Sequence, residues 1–435
     1  MAGTTRARCR PRWPWRAIRL SPVEQTYFRK GFGLKGAIEG ALTADYHSQV
    51  VDAIRASGYT LEVGDLTFRL AGEFGFCYGV DRAVEYAYET RSKFPGKRTF
   101  LVGEIIHNPH VNQKLAAMGV EFLHRPVGRE GEFDFGSVTA DDVVILPAFG
   151  VTVRDFERLR KTGCVLVDTT CGSVLNVWKR VESYARDGFT ALIHGKNFHE
   201  ETKATSSQVN KYSGGKYLVV RDMNEARMVC EYIEQKEPGA GSREQFLTQF
   251  KGKMTPGFDP DRDLQRIGVA NQTTMLSGES LAIASEVGKS MARRWGEAAA
   301  SEHFRTFDTI CSATQERQDA VLKLIAAPLD LMVVIGGYNS SNTTHLAAIC
   351  QEKVTTYHIE DATGIDVEQR SIRFRPVGLH STEERRDHWF PEGRLTIGIT
   401  AGASTPNNKI GETIERIAAL RGLSLVQLAK GAGQA

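Results

Sequence analysis

Three cysteines share one local setting. Cys77 closes the run LTFRLAGEFGFC and opens YGVDRAVEYAYETRSK, Cys171 closes CVLVDTTC and opens GSVLNVWKRVESYARDG, and Cys311 closes FRTFDTIC and opens SATQERQDAVLKLIAAP. Each lies where an apolar, β-branched stretch gives way to apolar residues three and four apart. A thiol there faces the free N–H groups and positive dipole end of a helix, which favour a thiolate or a negatively charged cluster. Structural zinc takes four ligands, often in C-x-x-C pairs, and no such pair exists here. Thiolates also hold iron–sulfur clusters, and three of them would leave one iron of a cubane open. Cys9, Cys164, Cys230 and Cys350 lack the setting and are expected to pack or do nothing.

A second set of polar residues follows each cysteine at a matched distance. His107 stands 30 residues after Cys77, His199 28 after Cys171, and Ser340 29 after Cys311. The surrounding segments, RTFLVGEIIHNPHV, TALIHGKNFHEETKATSS and LMVVIGGYNSSNTTHL, read as strands ending in polar loops. Glu201, two residues beyond His199, could carry a proton. Ser340, Ser341 and Asn342 form a hydroxyl and amide cluster at an expected helix start, suited to phosphate oxygens or to simple capping. A third strand in each unit, in DVVILPAFGVT, RIGVANQTTM and RLTIGITAGASTP, ends in small or hydroxyl residues, among them Thr273 and Ser404.

These elements imply three related α/β modules with mostly parallel sheets. Ligands collect beyond the carboxyl ends of such strands, so the polar ends should face one centre on a pseudo-threefold axis. The boundaries fall at 66–164, 165–304 and 305–420, preceded by a helix and connector at 27–65 and followed by a tail at 421–435. Residues 232–264, rich in charge, Gly and Pro, read as a surface excursion in the second module.

Composition narrows the class. The 435 residues carry a net charge of +3, and six arginines in the first twenty residues account for more than that, leaving the remainder near −3. A globally basic nucleic-acid binder is not supported. No apolar stretch reaches the roughly 20 residues of a membrane helix. Seven scattered cysteines without a secretory h-region favour a reducing compartment, the cytoplasm. Residues 1–26 read as a disordered extension, or as a transit peptide to the plastid stroma, although serine is scarce. GFGLKG (Gly31, Gly33, Gly36) follows a charged YFRK and not a buried strand, so a dinucleotide site is not expected.

The segments GFCYGVDRA, EIIHNPHV, DTTC, HEET, NQTT, DTICSATQERQ, NSSN and TAGAS together resemble 4-hydroxy-3-methylbut-2-enyl diphosphate reductase over about residues 27–420. The forms PAFG and HGKNFHEET look like its plastid and cyanobacterial branch. The resemblance implies a [4Fe–4S] cluster on Cys77, Cys171 and Cys311 whose fourth iron has no protein ligand. It implies a diphosphate gripped by His107, His199, Ser340, Ser341, Asn342 and Ser404, with Thr273 and Glu201 positioning and protonating an allylic hydroxyl. A ferredoxin or flavodoxin would supply electrons. Much of the family has histidine at the position of Phe149, so one diphosphate contact is absent or replaced here. The alternatives are a three-cysteine dehydratase or synthase of the quinolinate synthase type, and a zinc-stabilised interaction protein.

Overall fold

The computed structural model describes residues 26–126, 132–235, 240–307, 309–378 and 381–425. The arginine-rich start with Cys9 and the end of the tail lie outside them.

Three sheets form the frame. The first has five parallel strands in the order Tyr27–Phe28, Val165–Asp168, Val143–Leu146, Thr99–Val102, Val120–Leu123. The second has four, Phe304–Thr306, Ile267–Asn271, Thr190–His194, Lys216–Val220, again all parallel. The third runs Thr356–Ile359, Leu331–Ile335, Leu395–Ala401, Leu66–Leu70, Thr60–Val63, parallel except for its last pair. Central strands such as Val143–Leu146 and Leu331–Ile335 are buried throughout, as continuous apolar runs between two helical layers require.

The strand ahead of each cysteine completes the sheet of another unit. Leu66–Leu70, before Cys77, pairs with Leu395–Ala401; Val165–Asp168, before Cys171, pairs with Val143–Leu146; Phe304–Thr306, before Cys311, pairs with Ile267–Asn271. The expected boundaries at 66, 165 and 305 therefore divide the chain and not the sheets. Local pattern locates a strand but not its partner, and here the partner belongs to the preceding unit in a closed cycle.

Two further differences concern surface elements. The 232–264 stretch is not a mere excursion: Phe246, Phe250 and Phe258 are buried in the second unit's core. Within the third unit, Ile365–Asp366, Ser371–Phe374 and Glu384–Asp387 form a separate small antiparallel sheet. In GFGLKG, the Glu89 carboxylate accepts the N–H groups of Phe32 (2.5 Å) and Leu34 (2.6 Å). A protein side chain thus occupies donors that a phosphate would need.

Candidate functional site

Cys77, Cys171 and Cys311 are the N-cap residues of the helices Tyr78–Lys93, Gly172–Arg186 and Ser312–Leu324. Each has extended backbone that turns the chain from strand to helix. The Cys77 N–H donates to the Ala403 carbonyl at 3.2 Å and the Cys171 N–H to the Ala148 carbonyl at 2.8 Å, fixing two cysteines to strand-end loops. A Cβ at Gly79 would overlap the Cys171 sulfur and come within 4.0 Å of that of Cys77, so glycine keeps the space between the thiols clear. Burial pushes the Cys77 and Cys171 thiols up, the N–H groups of Val80 and Ser173 pull them back, and the neighbouring thiols raise them again. Cys77 and Cys171 are thus neutral thiols at neutral pH when no metal is bound, despite the helix ends. Cys164, Cys230 and Cys350 are buried in three separate hydrophobic clusters. Three convergent sulfurs around a cleared space, with no fourth cysteine described near them, fit a cluster held by three thiolates.

A cavity of about 920 Å³ is lined from all three sheets: His107 and Phe149 from the first, Lys196 and His199 from the second, Tyr338 and Ser341 from the third. None of the three cysteines is among its lining residues, but the Cys171 N–H bonds the Ala148 carbonyl between the lining residues Pro147 and Phe149. His107 and His199 meet edge to face with ring centroids 5.0 Å apart. Phe149 lies flat on His107, centroids 4.8 Å apart and planes 13° from parallel. The His107 Nδ1 is 2.9 Å from Glu104, and its Nε2 is buried without a partner, 4.0 Å from the Glu200 carboxylate. Glu200 is itself bonded by Arg125 at 2.9 Å. Ligand atoms of His107, His199 and Glu200 lie within 4.8 Å of one another, so the same groups could also hold a divalent ion.

His199 caps a short helix, its Nδ1 accepting the Glu201 N–H at 3.2 Å. Burial, with His107 and Lys196 adding to it, holds its pKa well below the usual histidine value. It is therefore a neutral ring with its proton on Nε2, an N–H donor. Glu201 is 3% exposed and accepts the Thr273 N–H at 2.6 Å. Burial pushes its carboxyl up to about 7, against the opposing pull of the Thr273 N–H and hydroxyl. Such a group holds a proton near neutral pH.

The third wall is the start of the helix Ser341–Gln351. Ser340 caps it, accepting the Thr343 N–H at 3.3 Å. The Ser341 hydroxyl receives the Gln272 amide at 3.3 Å. Asn342 accepts the Ala403 N–H through Oδ1 at 2.9 Å, which leaves its buried Nδ2 as an unpartnered donor. Ser404 donates to the His107 carbonyl at 3.3 Å. Of the expected residues His107, His199 and Ser341 line the cavity itself, while Glu201, Thr273, Ser340, Asn342 and Ser404 are joined to those walls by the bonds above.

Sequence reasoning passed over Glu104, Lys196, Gln272 and His345. All four stand within quoted segments, where nothing but position sets a charged, amide or imidazole side chain apart from a solvated one. Arg317 was also missed. It is buried and donates to the Gly75 carbonyl at 2.8 Å, lending positive charge to Cys77.

Residues 68–418 match the LytB protein family. The chain belongs to the LytB family. It is 50% identical over 402 residues to the 4-hydroxy-3-methylbut-2-enyl diphosphate reductase of Gloeobacter violaceus, covering 92% of this chain and 94% of that one. It is 49% identical to the enzyme of the same name from Thermosynechococcus vestitus, covering 92% and 96%. A solved structure of the E-1-hydroxy-2-methyl-but-2-enyl-4-diphosphate reductase from Plasmodium falciparum shares the fold, with TM-score 0.57 and 21% identity over 81% of this chain and 87% of that one. The LytB match begins on the strand ahead of Cys77 and ends in the last helix, so it spans all three sheets. LytB membership sets aside the quinolinate synthase-type and interaction-protein alternatives. Among the described residues no helix is long and apolar enough to cross a membrane.

Proposed function

We propose that this LytB chain reduces (E)-4-hydroxy-3-methylbut-2-enyl diphosphate to isopentenyl and dimethylallyl diphosphate, the last step of the non-mevalonate isoprenoid pathway. The overall step consumes two electrons and two protons and releases the hydroxyl as water. The observation that carries the reading is the convergence of three cysteine-capped helices, one of them bonded through Ala148 to the wall of a cavity whose donors come from all three sheets.

Cys77, Cys171 and Cys311 would hold a [4Fe–4S] cluster. When bound, it would supply electrons one at a time and one iron without a protein ligand. The chain does the rest. His107, His199, Ser340, Ser341, Asn342 and Ser404 bind the diphosphate, and the neutral His199 donates through Nε2. Anchoring that end fixes the allylic hydroxyl beside Thr273 and Glu201, the proximity contribution to rate. Glu201, half protonated near pH 7, gives a proton to the departing hydroxyl. A ferredoxin or flavodoxin is the expected donor.

The test is reduction of the allylic diphosphate by the anaerobic, iron-loaded protein with a strong one-electron donor, the two products being separated by chromatography. Failure to form either would overturn the reading.

A further inference from the structure

Lys196 stands apart from the other charged groups of the cavity wall. Glu200 is satisfied by Arg125, which also covers the Phe133 ring at 4.4 Å. Arg375 is tied to the carbonyls of Ser381 (2.8 Å) and Tyr338 (3.3 Å). Lys203 has a partner of its own. Among the described residues no acceptor contacts the Lys196 ammonium, and burial alone, with no carboxylate to offset it, pushes its pKa down.

Its backbone is fixed on both sides. The Lys196 N–H donates to Gln272 Oε1 at 3.1 Å, and its carbonyl accepts the His199 N–H at 2.9 Å. The same Gln272 donates to the Ser341 hydroxyl at 3.3 Å. A Cβ at the preceding Gly195 would meet the Thr202 hydroxyl at 2.8 Å, so the loop is closely packed. His199 and His345 both feel the Lys196 charge, which puts the ammonium in their company. The His199 ring is a neutral donor at neutral pH, the neutral His345 ring commits its one N–H to the Thr274 carbonyl at 2.8 Å, and Phe149 offers no donor at all. A partly buried cation without a counter-ion carries a desolvation cost that a bound anion relieves.

We propose that Lys196 is the cationic anchor of the diphosphate, pairing with its oxygens between His199 and Ser341. This rests on the substrate reading given above.

The experiment uses iron-loaded wild type, Lys196→Met and Lys196→Arg, with Lys196→Gln as a second neutral variant should methionine impair folding. Two quantities are read: KM for the allylic diphosphate, and the dissociation constant of inorganic pyrophosphate by calorimetry. Loss of one charge-assisted contact should weaken both roughly 10- to 100-fold in the neutral variants, with arginine recovering most of the loss. Wild-type values of both quantities in a folded neutral variant would overturn the proposal. If wild type fails to turn over the allylic diphosphate, the substrate reading falls, while the pyrophosphate comparison still decides on Lys196.

Discussion

Phe149 stacks face to face on His107, ring centroids 4.8 Å apart and planes 13° from parallel. A ring without a polar atom fixes the orientation of one that has two. Glu104 completes the clamp at Nδ1, leaving Nε2 directed away from it. Removing the stack in Phe149→Ala should free the His107 ring and raise KM for the diphosphate roughly three- to tenfold, the range of an aromatic pair. Steady-state kinetics check this, and an unchanged KM would reject the positioning role.

Glu201 sets a pH dependence. A carboxyl raised to about 7 is protonated below that pH, so kcat should fall as pH rises through about 7. Glu201→Gln keeps the shape, loses the proton, and should lower kcat about 100-fold or more with visible absorption intact. A flat profile, or wild-type turnover in the variant, would falsify the proton role. Linkage gives a second readout. With the folded value above the ordinary 4.5, the stability from this group is fully present below pH 4.5 and is lost as pH rises through about 7. The metal-free glutamine variant should lack that part of the Tm profile.

Gly79 keeps the thiol space open. In Gly79→Ala the added methyl meets the Cys171 sulfur, so bound iron should fall by more than half. The metal-free protein should keep its Tm within a few degrees, because alanine also gains about 1 kcal/mol of helix propensity. Iron analysis beside thermal melts separates the two effects, and full iron loading would contradict the crowding.

The cysteines divide into two kinds. Cys311→Ser should lose most of its iron and all turnover. Cys350→Ser should keep its iron and melt lower, because it places a hydroxyl in an apolar cluster. Iron loss in the second variant with none in the first would reverse the assignment.

The sequence was legible where chemistry coincides with local pattern. A cysteine between a strand period and a helix period is an N-cap by position alone, and all three are. The strands ending near His107, His199 and Ser340 were equally clear, each being an apolar run broken by polar residues. Pairing was not, because nothing in LTFRL says that its neighbour is LTIGITA, over three hundred residues later. Phe246, Phe250 and Phe258 were hidden by the charges between them. Lys196 was hidden by its type, since a lysine in a loop is ordinarily solvated.

The pairing of Leu66–Leu70 with Leu395–Ala401 also has a consequence in time. During synthesis the ribosome releases the segment carrying Cys77 early, but the strand that fixes it emerges among the last. Until then the closure of a very long loop remains unmade, and local contacts cannot substitute for it. The three sulfurs therefore first come together when nearly the whole polypeptide is available. Iron loading should follow translation, and a chain truncated before residue 395 should bind no cluster, however well its earlier sheets form.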